Sequence, residues 1–257
     1  SAAVPASAPP VSHSLKPRQL IMMGLGSAIG AGLFLGSGVG VKLAGPAVLV
    51  SYLVAGALVI IVMNALGEMA AAKPTSGAFS VYAADAMGAT AGATIGWLWW
   101  VQLVIVIAAE SVGAAGLLAT LWPQLSVPLA SLAFMVVFTV INLMGVRNYG
   151  EFEFWFALIK VITIIALIVT GGWMIATGWT SPDGVTASLS HLTDPTAFMP
   201  HGITGFFAGF QIAIFSFTGI ELLGTMTAET RDPQRILPKA INALPLRIII
   251  FYLLSMV

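Results

Sequence analysis

Three ionisable residues stand where an apolar chain has least reason to keep them. Lys160 lies in IKVITIIALIV, Glu110 in IAAESVGAAG and Glu221 in FSFTGIELLG. Each sits in a stretch otherwise apolar enough to cross a bilayer, where a charged side chain costs about 2.5–3.5 kcal/mol on insertion scales. Lys160 is either a structural lysine satisfied by backbone carbonyls, or a lysine that loses its proton during a working cycle because burial favours the neutral amine. In the second case its ammonium takes a place that a sodium ion could otherwise hold. Glu110 is either a neutral acid hydrogen-bonded to a neighbouring helix or a wall of a substrate site. Glu221 follows Thr218-Gly219, a pair that weakens a helix. Glu68 reads as structural. Glu151, Glu153, Asp183, Asp194 and Asp232 read as solvated residues of loops and edges, and Gln102 and Asn142 as polar ties between helices.

A second feature is the run GLGSAIGAGLFLGSGVG from Gly24 to Gly40, in which seven of seventeen residues are glycine. Each glycine costs about 1 kcal/mol of helix propensity against alanine. One reading is close packing of helices through steps such as Gly26/Gly30 and Gly32/Gly36. The sharper reading is an unwound stretch near Ser27–Gly32 inside the membrane. Such backbone survives there only where it is buried in protein or lines a cavity. Its N–H groups and the N-terminus of the following half-helix then suit an anion such as a carboxylate.

Other chemistries find no support. The spacing of the run is not GxGxxG, and no strand precedes it. His13, His191 and His201 lack metal-ligand spacing, and there is no HExxH, GxSxG or P-loop pattern. There is no cysteine, hence no disulfide and no thiolate chemistry. No catalytic residue, metal or cofactor is expected, and with zero net charge no nucleic-acid partner either.

The elements that must hold these residues follow from composition. Hydrophobic residues make up 58% of the 257 and charged residues 8%, with mean hydropathy +0.99. A water-soluble domain carries about 25% charged residues, so the solvent here is lipid. Taking about 20 apolar residues per span, the spacing predicts spans near Leu20–Val41, Ala47–Ala71, Thr90–Leu121, Val127–Val146, Phe154–Thr177 and Gly202–Ala228. A seventh begins near Ile241. Its purely apolar part, Ile248–Val257, is too short to cross, so a chain cut short in its seventh helix is expected, one that does not transport by itself.

With the N-terminus in the cytoplasm, Lys16, Arg18, Lys73, Arg147, Arg231, Arg235, Lys239 and Arg247 fall inside and only Lys42 outside, as the positive-inside rule asks. Trp97, Trp99, Trp100, Trp122, Trp173 and Trp179 fall near span ends, as interface anchors do. The first and sixth spans are both interrupted, a pattern of transporters built on inverted repeats.

The chain resembles the amino acid–polyamine–organocation (APC) transporters, and within them the bacterial amino acid permeases related to aromatic amino acid and GABA permeases. The segments that carry the resemblance are GLGSAIGAGLFLGSG (Gly24–Gly38), GEMAAAKPTSGAFSVYA (Gly67–Ala83), GWLWW (Gly96–Trp100), NYGEFEFWFALIKV (Asn148–Val161), FSFTGIELLG (Phe215–Gly224) and AETRDPQRILPKAI (Ala228–Ile241). They cover Lys16 to Val257 in family order. The resemblance implies an all-α membrane protein of five-plus-five inverted repeats, with discontinuous helices 1 and 6. Residues 1–15, SAAVPASAPPVSHSL, read from their Ala/Pro/Ser-rich composition as a disordered cytoplasmic tail, and the resemblance implies a first five-helix repeat over 16–178, an extracellular loop over 179–200, and the start of a second repeat over 201–257.

It further implies that a substrate carboxylate meets unwound backbone at Ala28, Ile29, Gly30, Ala31 and Gly32. The amino group would meet carbonyls near Ser27–Ile29 and across Phe215, Ser216 and Thr218, with Gly219 in the break. Phe215 would be an aromatic gate, Glu110 a substrate-recognition position, and Lys160, with Glu221, the proton-coupling residue. Ala31 departs from the family pattern, where Ser or Thr is usual, so the site loses a hydroxyl. The expected function is secondary transport of an amino acid across the cytoplasmic membrane with protons, in lipid, by alternating access. An amino-acid exchanger of the same fold is the alternative, and a non-transporting sensor or channel a remote one. The residues suit aromatic or small neutral ligands alike.

Overall fold

The structure is a computed structural model that describes residues 26, 29, 30, 32–75, 77–143, 146–221, 246 and 248–257. Among the described residues there are helices, turns and one isolated bridge, Thr180 to Thr186, with no strand. The expected tail, Lys16, Arg18, Ser27, Ala28, Ala31, Asp232 and the start of the seventh helix lie outside the described residues.

A π-helical turn, Gly32–Gly36, leads into α1 (Ser37–Ala44). A short 3-10 turn, Gly45–Ala47, connects α1 to α2 (Val48–Ala72). Gly45 has φ +61°, and a Cβ there would stand 2.5 Å from the Ala197 carbonyl oxygen. Only glycine fits both demands. Pro46 then sits in the first turn, where its missing N–H costs nothing. The loop after residue 177 is held on this corner. The Ala47 N–H donates to the Phe198 carbonyl at 3.1 Å, and His201 Nδ1 lies 3.1 Å from the Leu43 carbonyl.

The chain continues through α3 (Ala78–Met87), α4 (Ala89–Leu121), α5 (Val127–Leu143), α6 (Val146–Thr177) and α7 (Gly202–Ser216). It ends in a π-helical turn, Ile248–Leu253, and α8 (Leu254–Met256). Gly32–Ala72, Ala89–Leu121 and Glu151–Thr177 are long and apolar enough to cross a membrane, and α5 and α7 are shorter apolar helices. In the most apolar window of α4 only 6% is buried. Leu98, Ile105, Val112 and Leu117 face outward from it, as a surface bathed in lipid or covered by further protein requires. Trp97, Trp100, Trp122, Trp173 and Trp179 are exposed. Trp99 instead packs edge-on against Phe79, with ring centroids 5.4 Å apart.

Two elements differ from the sequence reading. Helix α3 falls in what hydropathy treats as a connection. Its ten residues cannot span, but they pack tightly on α4: a Cβ on Gly92 would lie 2.6 Å from Ala84 Cβ. Lys73 pairs with Asp85 at 2.6 Å, and the Tyr82 hydroxyl donates to the Lys73 carbonyl at 2.9 Å. Helix α6 begins at Val146 rather than Phe154, so Glu151 and Glu153 are helical, not loop residues. A hydropathy window ends where glutamates begin, whereas the helix runs on through them.

The core gathers where α1, α2 and α7 meet. Helix α7 runs antiparallel to the Gly32–Ala44 segment, and glycines set the register. A Cβ on Gly32 would lie 2.4 Å from Ser216 Cα, one on Gly36 2.9 Å from Ile212, and one on Gly209 2.7 Å from Ala44. Tyr52, Phe217 and Tyr252 close this core as a ring cluster, with Phe217 and Tyr252 centroids 4.6 Å apart. Ile29, Leu33, Val48, Ile164 and Ile220 pack around them.

Candidate functional site

Two short non-helical stretches contribute to this core, one through Ile29 and the other through Phe217 and Ile220. In the first, Ile29 lies in a bend and Gly30 in no regular element. The bonds there close four-residue turns: the Ile29 N–H donates to the Gly26 carbonyl at 3.2 Å, and the Leu33 N–H to the Gly30 carbonyl at 3.1 Å. In the second, α7 stops at Ser216 and the chain turns through residues 217–221. The Phe217 N–H donates to the Ile214 carbonyl at 3.1 Å, and the Thr218 N–H to the Phe215 carbonyl at 3.0 Å. Gly219 has φ +103°, a conformation glycine adopts without strain. Its N–H donates to Glu221 Oε2 at 2.7 Å. The carboxylate thus caps the turn from within, and Gln102 Nε2 reaches its other oxygen from α4 at 3.4 Å.

Ser216 is the knot of the second stretch. Its hydroxyl lies 2.7 Å from the Tyr52 hydroxyl and donates to the Ile212 carbonyl at 2.9 Å. Its carbonyl accepts from the Tyr252 hydroxyl at 3.0 Å. All three residues are buried, so each bond is sheltered from competing water.

Glycine also bares a wall for ionisable groups. Glu110 Oε1 stands 3.3 Å from where a Gly30 Cβ would be, and Glu153 Oε1 3.3 Å from where a Gly26 Cβ would be. Lys160 Nζ points at the Gly26 carbonyl at 3.4 Å, at the outer edge of hydrogen-bond range. Lys160 attracts the Glu153 carboxylate and Glu110 repels it.

The sequence-predicted residues therefore fall into two groups. Ile29, Gly30 and Gly32 meet Glu110, Lys160 and Ser216 around the first stretch. Thr218 and Glu221 line a cavity of about 410 Å³ together with Trp99, Gln102, Phe217 and Ile214. Gly219 joins this second group through its bond to Glu221. Trp99 Nε1 is buried in this region without a hydrogen-bond partner among the described residues. Phe215, although beside the turn, is exposed.

Sequence reasoning missed Glu153, Tyr52 and Tyr252. Glu153 is half-buried and belongs to the wall rather than to a solvated edge. Its signal was available: it precedes Lys160 by seven residues, two helical turns, so both share one face. The tyrosines carried no signal, because each lies in an apolar run whose partner is remote in sequence. Gln102, expected to tie two helices, instead reaches from α4 to Glu221 in the turn that follows α7.

Residues 19–257 match the model of the amino acid permease family. This chain belongs to that family. It is 48% identical over 239 residues to the aromatic amino acid transport protein AroP of Corynebacterium glutamicum, covering 93% of this chain and 51% of the relative. It is 43% identical over 245 residues to the D-serine/D-alanine/glycine transporter of Escherichia coli (strain K12), covering 95% and 52%. It is 43% identical over 242 residues to the gamma-aminobutyric acid permease of Bacillus subtilis (strain 168), covering 94% and 51%. The chain spans about half the length of these relatives. As a member of the amino acid permease family, within the APC superfamily, it is a multi-pass membrane protein, and its relatives are transporters rather than enzymes.

Proposed function

We propose that the chain forms the part of a proton-coupled amino acid symporter that holds the interrupted helices 1 and 6. The observation that carries this reading is the close approach of Gly32, just past the Ile29–Gly30 stretch, to Ser216, where the 217–221 turn begins, with Ile29, Phe217 and Ile220 in one buried cluster and the Lys160 ammonium at the Gly26 carbonyl. Backbone at 28–32 receives the substrate carboxylate. Carbonyls at 27–29 and of Phe215 to Thr218 receive the amino group, those of Phe215, Ser216 and Phe217 through the second lone pair that their bonds to Thr218, Tyr252 and Ile220 leave open. Phe215 closes over the ligand, Glu110 forms a wall, and Lys160 with Glu221 couples a proton to the cycle. The N-terminus lies in the cytoplasm and the chain crosses the cytoplasmic membrane. Residues 16–178 form the first repeat, and 201–257 open the second.

The relatives support recognition centred on backbone. Their names span aromatic amino acids, small D-amino acids with glycine, and γ-aminobutyrate. These ligands share an amine and a carboxylate and little else. A site that reads those two groups with main-chain donors and acceptors tolerates such side-chain variety, and Ala31, without a hydroxyl, leaves the carboxylate to the N–H groups.

The test is uptake of labelled amino acids into proteoliposomes holding the full-length protein under an imposed inward proton gradient, for wild type and Lys160→Ala. Wild-type accumulation lost in the variant is expected. Accumulation unchanged by Lys160→Ala would contradict the coupling role. Uptake that ignores the gradient and requires internal amino acid would identify an exchanger.

A further inference from the structure

In a symport cycle the proton held at Lys160 must leave toward the cytoplasm, through water or through a side chain that accepts it. We propose that Glu153 is that side chain, the acceptor through which the proton held at Lys160 leaves toward the N-terminal, cytoplasmic end of α6. This rests on the proton-symport reading and the orientation proposed with it.

The geometry is specific. Glu153 and Lys160 lie on one face of α6, about 10.5 Å apart along its axis, and their side chains converge on one residue. Lys160 Nζ reaches the Gly26 carbonyl at 3.4 Å, while Glu153 Oε1 lies 3.3 Å from the place of a Gly26 Cβ. A Cβ at 26 would stand 2.7 Å from the Cβ of Ala157, which lies between Glu153 and Lys160 on the same face of α6. Glu110 stands at Gly30, four residues further along the chain and nearer the Gly32–Ser216 contact. The lysine thus has a carboxylate toward the substrate stretch and another toward the start of α6.

Among the described residues, the charged groups that act on Glu153 are Lys160 from its own helix and Glu110 from α4. Neither α5 nor α8, both packed on α6, carries an ionisable side chain. Glu151, two residues away on the helix, faces another direction.

The transfer balances. The N–H bond of the Lys160 ammonium breaks and an O–H bond forms on Glu153, directly or through water, leaving a neutral amine and a neutral acid. Neutral forms of both suit a low-dielectric site. Glu153 then gives the proton to cytoplasmic water and returns to carboxylate. Lys160 is reprotonated from the substrate side. One proton has crossed and no other species is consumed.

The experiment compares wild type, Glu153→Gln, Glu153→Asp and Lys160→Ala in proteoliposomes of the full-length protein. Two readouts are taken: gradient-driven accumulation across a range of pH, and counterflow with saturating amino acid on both sides, which needs no net proton movement. Glu153→Gln is expected to lose about tenfold or more of driven accumulation and to keep counterflow within about twofold. Glu153→Asp is expected to recover drive with a displaced pH profile. A Gln variant with wild-type accumulation and pH profile would overturn the proposal. So would one that loses counterflow in step with accumulation, since that marks a packing role. If the Gln variant does not reach the membrane, the Asp variant decides: a wild-type pH profile would overturn the relay. Wild-type protein without proton-driven accumulation would overturn the symport reading itself, and the relay with it.

Discussion

Glu221 accepts the Gly219 N–H at 2.7 Å and the Gln102 amide at 3.4 Å. A carboxylate that accepts from backbone in this way contributes about 1.5–3 kcal/mol, here to the shape of the turn that follows α7. Glu221→Ala removes both bonds, and substrate affinity is expected to fall by about tenfold or more. Glu221→Gln keeps an acceptor oxygen and should lose less. Equilibrium binding of a labelled amino acid to both variants checks this, and equal losses would speak against the cap. Lys160, Glu110 and Glu221 were legible in the sequence because an ionisable residue in an apolar run is conspicuous. Glu153 was not, because it sits where the apolar run ends and looks like a helix edge. Only the glycine wall of helix 1, brought alongside by folding, reveals what it faces.

Among elements, the end of α7 is fixed by three hydroxyl groups from parts of the chain far apart in sequence. Tyr252→Phe removes the donor to the Ser216 carbonyl and leaves a buried acceptor unmet, a loss of about 1–3 kcal/mol. Tyr52→Phe leaves the Ser216 hydroxyl its Ile212 bond and is expected to cost less. Thermal inactivation of the detergent-solubilised protein should rank the variants in that order. The reverse order would place the weight of the knot on the Ser216 side chain. Gly32→Ala is expected to be worse than an ordinary overpacking substitution of about 1–3 kcal/mol. Its new Cβ would meet Ser216 backbone at 2.4 Å, which cannot rotate away as a side chain can. Binding that survived this change would mean that α1 and α7 separate more easily than their contact suggests. Most span positions could be read from hydropathy, since length and apolarity alone fix them. Helix α3 and the first turns of α6 could not, because their stability comes from packing on α4 and from helix continuation through glutamates.

For the whole molecule, the family and the membrane setting follow from motif order and composition, and the comparisons agree with them. The outward apolar faces of α4 and α5 carry Ile105, Val112, Leu132 and Val136 exposed. They require lipid or further protein, so extraction from lipid into short-chain detergent is expected to shorten the lifetime of the binding-competent state. Measured decay of ligand binding with detergent chain length checks this. Substrate identity was not legible, because main-chain groups that read an amine and a carboxylate leave no side-chain code in the sequence. The most direct measurement of the central claim records proton flux and amino acid flux together. Proteoliposomes holding the full-length protein are given a panel of labelled amino acids with no proton gradient imposed. Adding the transported amino acid outside is expected to drive protons inward in fixed ratio to its uptake. Uptake of that amino acid with no accompanying proton movement would contradict it.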